Sequence, residues 1–497
     1  MLLSAWPLWP VVAVVLKGAS IAFIATVLLH GLVMLILSRR AVRPPAGPAP
    51  TPRVVLLVPC LNEARVLAAS IDRLLCLPHE DLVVVIIDDG SDDETASIVA
   101  SYAHPQVRLL RRVLPEARQG KGAALNAAVA WLVGSDIVGD RSPADVVIGV
   151  VDADGRLEDD VFTEVLPYFG DPMIGGVQTG VRINNRHVSR LARMQDMEFV
   201  TFTDVYQRAR VSIGSVGLGG NGQFMRLSAL QDLGERPWSD SLTEDLDLGL
   251  RLTARGWRTV YCPTTAVHQQ GVVEFGRLVR QRTRWFHGHL QAWRLLPEIV
   301  RDVRGVARWD LVYHVTAPYL LLVASLLTAS FVLGLLALGL AAASGAPFLG
   351  WWVVIAYLLA VVPALCFSQV YRARERADGL TRLGAMGVAH LYVLYGLMWY
   401  LAGWRAVGRI ILARTGWAKT ARTAETAVTT LPPVAGGTLE TAPEPSAADL
   451  ADVRGASAVS VPVGLGQGRV AGGPRAPFRS ADRPGRARSS TSTPDPA

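Results

Sequence analysis

Hydrophobic patterning divides the chain into an apolar start, an alternating middle and a second apolar block. Residues 11–37 form the first apolar stretch, followed by Ser38-Arg39-Arg40. Residues 19–37 carry no Asp, Glu, Lys or Arg and approach the ~20 residues that a membrane-crossing helix needs. A secretory leader would have a shorter core and a small-residue cleavage site after the arginines. Residues 1–40 are therefore expected to be an anchor. A stiff Pro-rich linker follows over residues 41–52. From residue 53 the apolar runs shorten. Val54-Val55-Leu56-Leu57-Val58 stops at Pro59, residues 82–87 stop at Asp88, and residues 146–151 stop at Asp152. Such unbroken short runs read as strands buried on both faces. Residues 63–75, 92–102 and 121–132 lie between them and repeat at helical spacing. Alternating strand and helix predicts a mostly parallel, Rossmann-like α/β sheet with helices on both faces. Ligands bind such sheets at the carboxyl ends of the strands, where Asp88 and Asp152 stand.

After this α/β domain (53–285), residues 293–309 are Arg-rich and amphipathic, which predicts a helix in the membrane interface within 286–312. Residues 315–340 and 350–370 are candidate spans, separated by a small-residue loop at 341–347. Arg372, Arg374, Arg376 and Arg382 then mark a return to the cytoplasm. Residues 383–412 form a further hydrophobic stretch, completing a membrane region over 313–414. One crossing there would export the basic segment 414–422. A hairpin or an interfacial helix would keep it inside, and both alternatives stand. Residues 423–497, rich in Ala, Pro, Gly, Thr and Arg, are expected to be a disordered tail. Arg39, Arg40 and Arg43 place the α/β domain in the cytoplasm of a multi-pass inner-membrane protein.

Composition sharpens this picture. The hydrophobic fraction of 51% and mean hydropathy of +0.30 reflect the apolar segments. Cys60, Cys76, Cys262 and Cys366 are scattered without a CxxC pair, against a zinc ribbon or disulfide framework. The net charge of +7 comes with arginines that flank apolar spans or fall in the tail. Anionic membrane lipids, not nucleic acid, are the expected partner.

Four polar clusters carry candidate chemistry. Asp152 and Asp154 emerge from a buried run at i and i+2, a spacing that puts two carboxylates on one side of an extended strand. Such a pair can hold Mg²⁺ or Mn²⁺ with diphosphate oxygens completing the shell. A solvated Asp-rich turn would have the same letters. Asp88-Asp89 follows another buried run, and a carboxylate there can accept the imide N–H of uracil. Asp92 and Asp93 read as the acidic first turn of a helix. Lys121, between two glycines at a helix start, suits a phosphate or an ordinary loop equally. Thr243-Glu244-Asp245 opens a helical pattern. Asp245 is the candidate base for an acceptor hydroxyl, set against simple N-terminal helix acidity. Gln281, Arg284 and Trp285 share one helix face, where Arg284 can fork onto a diphosphate and Trp285 can stack on a sugar. A juxtamembrane basic belt is the competing reading. His268, His287 and His289 lack the spacing of a metal site.

Taken in order, Asp88, Asp152-Ala153-Asp154, Thr243-Glu244-Asp245 and the Gln281–Trp285 cluster resemble the D, DxD, TED and QxxRW pattern of membrane-integrated family 2 glycosyltransferases. These are enzymes of the cellulose, hyaluronan and poly-N-acetylglucosamine synthase type. The resemblance implies a GT-A fold, an inverting mechanism, a UDP-sugar donor and a divalent metal. It implies that Asp88 or Asp89 contacts uracil, that Asp154 binds metal with Asp152 near the diphosphate, and that Asp245 is the base. Gln281, Arg284 and Trp285 would cap donor and acceptor, and Pro59, Asn62 and Glu63 match the start of the nucleotide pocket. Residues 219–226 resemble the GNGQF segment of bacterial β-glucosyl-diacylglycerol synthases. Asn221 and Gln223, with Glu244, would then line an acceptor wall. The leading expectation is a polysaccharide synthase-like enzyme making a β-glycan. The alternative is a non-processive glycolipid synthase, and a third is a non-catalytic nucleotide-binding membrane protein or transporter. Partner subunits cannot be named from sequence.

Overall fold

The computed structural model describes residues 9–45, 49–345 and 350–413. The expected tail (423–497), the basic segment 414–422, and parts of the linker and of the 341–347 loop lie outside the described residues. Helix α1 (Trp9–Leu37) leads into an eight-stranded sheet. Its first half runs β1 (Arg53–Cys60), α2 (Ala64–Leu75), β2 (Leu82–Asp88), α3 (Thr95–Ser101), β3 (Val107–Arg111), α4 (Lys121–Val133) and β4 (Val146–Val150). Strands β3, β2, β1 and β4 lie side by side and parallel. Val54, Leu56 and Val58 of β1 pack with Ile71 and Leu74 of α2, while Val55 and Leu57 pack with Leu125 and Val129 of α4. Successive strand residues face opposite sides, so a run apolar at every position needs a layer on each face.

Strand β3 is absent from the sequence expectation because Arg108 and Arg111 interrupt its apolar pattern. Helix α3 starts later than residue 92. Asp93 lies before it, accepting from Thr95 N (2.9 Å) and from Ala64 N of α2 (3.1 Å). One carboxylate thus serves donors at the starts of two helices.

The second half is mixed. It runs β5 (Arg156–Leu157), α5 (Val161–Val165), β6 (Ile174–Ile183), α6 (Arg190–Thr201), α7 (Arg208–Ile213), β7 (Gln223–Arg226), α8 (Leu227–Asp232), α9 (Glu244–Ala254), β8 (Arg258–Gln269) and α10 (Phe275–Gln291). The strand order is β3-β2-β1-β4-β7-β6-β8-β5. β7 is antiparallel to both β4 and β6, β6 and β8 are parallel, and β5 is antiparallel to β8.

The last helices are α11 (Leu296–Asp302), α12 (Gly305–Ala343), α13 (Trp351–Arg374) and α14 (Arg382–Ile411). The single interfacial helix expected over 293–309 does not form. The chain breaks after Asp302, where Gly305 adopts φ +67°, and the residues beyond belong to α12. Among the described residues, four helices are long and apolar enough to cross a membrane: residues 17–37, α12, residues 353–374 and α14. α14 is unbroken, which removes the hairpin alternative. It lies along α10, with Tyr395 beside Arg282, Gly403 against Phe286, and Ala406 clustered with Leu290. Asp310 of α12 accepts from Arg210 (2.9 Å) and Ser215 (2.8 Å) and meets His30 of α1 (3.2 Å). A buried carboxylate needs such partners, and these tie the apolar helices to the sheet domain.

Candidate active site

The rim of the site is built at the carboxyl ends of β1 and β2. Asp88 is fully buried; its Oδ1 accepts from Ser91 N (2.9 Å) and its Oδ2 lies 3.4 Å from Arg111 Nε. Asp89 pairs with Arg112, and burial holds its carboxyl above the usual range despite that cation. Beyond Pro59 at the end of β1, Asn62 adopts φ +56°, a conformation that Asn tolerates better than most residues. Asn62 N donates to Ser91 Oγ (2.9 Å), and Asn62 Oδ1 accepts from Asp92 N (3.0 Å). Glu63 N donates to Thr95 Oγ1 (2.9 Å). The β1–α2 and β2–α3 loops are therefore stitched into one rigid edge.

The floor lies beyond β4. Lys121, first residue of α4, donates to Asp152 Oδ1 (2.6 Å) and reaches the Gly220 carbonyl (3.4 Å). Burial alone would lower the pKa of this ammonium, but Asp152 and then Glu244 raise it overall. Asp154 is fully buried, and its Oδ2 accepts from Gln270 N (3.3 Å). The two carboxylates are not equivalent, since one faces a lysine and the other sits within the fold. Both offer hard oxygens at a strand end, a donor set that suits Mg²⁺ or Mn²⁺.

Asn221 and Gln223 sit differently from an acceptor wall. Asn221 is buried; its Oδ1 accepts from Asp152 N (3.1 Å) and its Nδ2 donates to Gln269 (2.9 Å). Gln223 is fully buried on the central strand β7, and its Oε1 accepts from Gly220 N (3.3 Å). Asn221 thus braces the loop through both ends of its amide, and Gln223 through its Oε1 alone, its buried Nε2 having no hydrogen-bond partner among the described residues. The glycines between them are the close-approach elements. Gly220 has φ +78°, and a Cβ there would stand 2.7 Å from Asp245 Oδ2.

Asp245 thus lies directly over the glycine loop. Its Oδ1 accepts from Leu246 N (2.8 Å). Burial raises its pKa, opposed by that bond and by Lys121. Burial and then the Asp245 charge push the neighbouring Glu244 carboxyl up to about 7, against Lys121 and Arg284. Both carboxyls of the pair are thus held above the usual carboxylate range by burial.

Helix α10 closes the site. A Cβ on Gly288 would lie 2.5 Å from Thr243 Oγ1, so α10 touches the start of the Thr243-Glu244-Asp245 cluster through a glycine. Gln291 Oε1 accepts from Leu242 N (2.9 Å). Gln281 accepts from Arg282 (2.8 Å), and Trp285 packs edge-on to Phe199 with ring centroids 6.1 Å apart. His268 binds Glu158 (2.8 Å) and is not grouped with other ligands.

Residues 52–288 match the family model described as glycosyltransferase like family 2. They form a glycosyltransferase domain like those of family 2. The chain is 33% identical over 259 residues to a β-monoglucosyldiacylglycerol synthase of Synechocystis sp., covering 50% of this chain and 51% of that protein. It is 28% identical over 238 residues to a poly-β-1,6-N-acetyl-D-glucosamine synthase of Staphylococcus aureus, covering 47% and 54%. The chain thus spans about half the length of the curated relatives it matches. The solved structure of the mannosyltransferase PcManGT from Pyrobaculum calidifontis, in complex with GDP-Man and Mn²⁺, superposes with a TM-score of 0.51 at 22% identity. It covers 78% of this chain and 99% of that one. That likeness concerns the fold, and the curled mixed sheet is the expected GT-A architecture.

The glycosyltransferase domain also contains residues that sequence reasoning passed over. Arg282, grouped with a basic belt, is fully buried. It donates to Glu198 (2.5 Å), and its guanidinium stands 4.0 Å from the Trp285 ring centroid. Glu198 also accepts from Tyr395 (2.6 Å) and Trp399 (2.8 Å) of α14. Arg282 therefore fixes Trp285 from behind and couples the domain to the apolar helices. An arginine inside a motif helix, with Gly288 and Gln291 about one and a half to two and a half turns on, was the available signal.

Proposed function

We propose that the protein is an inverting hexosyltransferase that moves a sugar from a UDP-sugar to the hydroxyl of a diacylglycerol-type lipid at the cytoplasmic face of the inner membrane. The observation that carries this reading is the convergence of Lys121, Asp152, the Gly220 loop and Asp245 beside the end of β4. The rim through Pro59, Asn62, Glu63, Asp88 and Asp89 takes the uridine. Asp245 removes the proton as the acceptor oxygen attacks the anomeric carbon from the face opposite the diphosphate. The bond from that carbon to the phosphate oxygen breaks, and its electron pair leaves with UDP. Lys121 and Arg284 lie where the departing charge grows. A divalent cation held by Asp154, with Asp152 beside the diphosphate, supplies further neutralisation when bound. Gln281 and Trp285 cap the sugar.

The glycine-rich 219–226 segment and the likeness to the Synechocystis glycolipid enzyme support a lipid acceptor over a growing glycan. Arg39, Arg40 and Arg43 support a cytoplasmic domain. To test this, purified protein in lipid is incubated with radiolabelled UDP-sugars and diacylglycerol, with and without chelator. Label in a small organic-extractable product, lost with chelator and restored by Mg²⁺ or Mn²⁺, is expected. Label in large β-glycanase-sensitive material would replace the lipid reading with polymer synthesis. No sugar transfer from any UDP-sugar would overturn both.

A further inference from the structure

We propose that the partly open apolar cavity between the membrane-type helices is the site that receives the acyl chains of the acceptor, with the acceptor hydroxyl at its His289 end. This rests on the lipid-acceptor reading above. The cavity measures ≈ 530 Å³, within the ~300–1,000 Å³ range of small-molecule sites. Its walls come from four apolar helices and α10, and include Val27 of α1, Ala317 and Leu321 of α12, Leu359 of α13 and Trp399 of α14. Sugar hydroxyls along such walls would lack hydrogen-bond partners, whereas acyl chains lose nothing there.

Polar groups gather where α10 meets α12. His289 and His314 both line the cavity, with ring centroids 6.1 Å apart. His314 Nδ1 is taken by Arg210 (2.9 Å). His289 Nδ1 lies 2.8 Å from the Trp285 carbonyl, which can only accept, so Nδ1 carries the proton. Nε2 is then left as a hydrogen-bond acceptor at this end of the cavity, while the single proton of the acceptor hydroxyl goes to Asp245. Burial lowers the His289 pKa and favours this neutral form, against the pull of Asp245. Gly288, next to His289 on α10, is where that helix meets Thr243 of the Thr243-Glu244-Asp245 cluster. The His289 end of the cavity is therefore one residue along α10 from the contact with the cluster that carries the proposed base.

Ala317→Phe and Ala324→Phe, on α12, each narrow the cavity without touching the donor rim. Each should raise KM for diacylglycerol roughly tenfold and shift preference toward shorter acyl chains, the scale of overpacking costs. UDP affinity on the same samples reports whether the domain is folded. A folded variant with unchanged KM and unchanged chain-length preference overturns the cavity assignment. Wild-type protein that labels no lipid at any chain length overturns the lipid-acceptor reading itself. A second measurement needs no variant: diacylglycerol with a photoreactive acyl chain should crosslink to Val27 or Leu321. Crosslinks confined to outward-facing positions such as Leu29 and Leu333, 61% and 66% exposed, would also overturn the assignment.

Discussion

The two sides of Asp245 are built from opposite materials. On the proposed donor side, hydrogen bonds tie Asn62 to Ser91 and Glu63 to Thr95 along the rim, and Lys121 to Asp152 on the floor. On the other side, a cavity walled by Leu321, Leu359 and Trp399 has polar groups mainly at one end. A charged diphosphate needs fixed, directional partners, whereas an acyl chain needs only apolar volume. Asp245 stands at the boundary, over a glycine loop that lets its carboxylate approach the floor. The proposed transfer puts its base at this boundary.

The largest expected effect comes from removing the boundary group. Asp245→Asn should lower kcat by about 10³-fold, within the ~10²–10⁴ range for a general base. Its affinity for UDP should stay within a few fold, read by calorimetry; a parallel loss of UDP binding would move Asp245 to the donor side. Arg282→Leu comes next and acts on the link between the two sides. It leaves Glu198 without its cation and frees Trp285, so the folded state should lose roughly 3–5 kcal/mol, as for a broken buried pair. An unchanged melting temperature would show that the coupling through Glu198 is dispensable.

Lys121→Met confines the damage to the donor side. Asp152 loses its partner, and kcat should fall about 10²-fold, comparable to removing one donor to a developing charge. Acyl-chain preference should not change; if it did, the two sides would not be separable. The smallest effect is on pH. As the proposed base, Asp245 would work only when ionised, and burial raises both carboxyls of the pair, with Glu244 up to about 7. Transfer should therefore decline on the acid side at a pH above the ~4 of an exposed carboxylate. Glu244→Gln removes a neighbouring negative charge, which lets Asp245 ionise at lower pH. The acid limb of kcat/KM should move down by about one unit. A limb that stays in place would separate the two titrations.

The donor side was the more legible half of the sequence. Val54–Val58 is apolar at every position and so announces a strand with layers on both faces. Asp88 and Asp152 then fall at strand ends by position alone. The boundary was legible in residue type but not in contact. Lys121 meeting Asp152, Gly220 underlying Asp245 and Gly288 touching Thr243 are side-chain meetings across long loops, which no local period encodes. Asn221 and Gln223 invited a reading as hydroxyl partners because amides at a glycine loop can serve a ligand. In the fold those amides satisfy buried backbone and Gln269 instead. The break before Gly305 escaped notice because an amphipathic period continues across it.

The most direct measurement is the anomeric configuration and partitioning of the product that purified protein makes from a UDP-α-hexose and diacylglycerol. Proton NMR of the organic-extractable material should show a single β-anomeric signal with wild type and none above background with Asp245→Asn. An α-anomeric product, or a β-linked lipid formed equally well by Asp245→Asn, would contradict a base at the boundary between a polar donor edge and an apolar acceptor cavity.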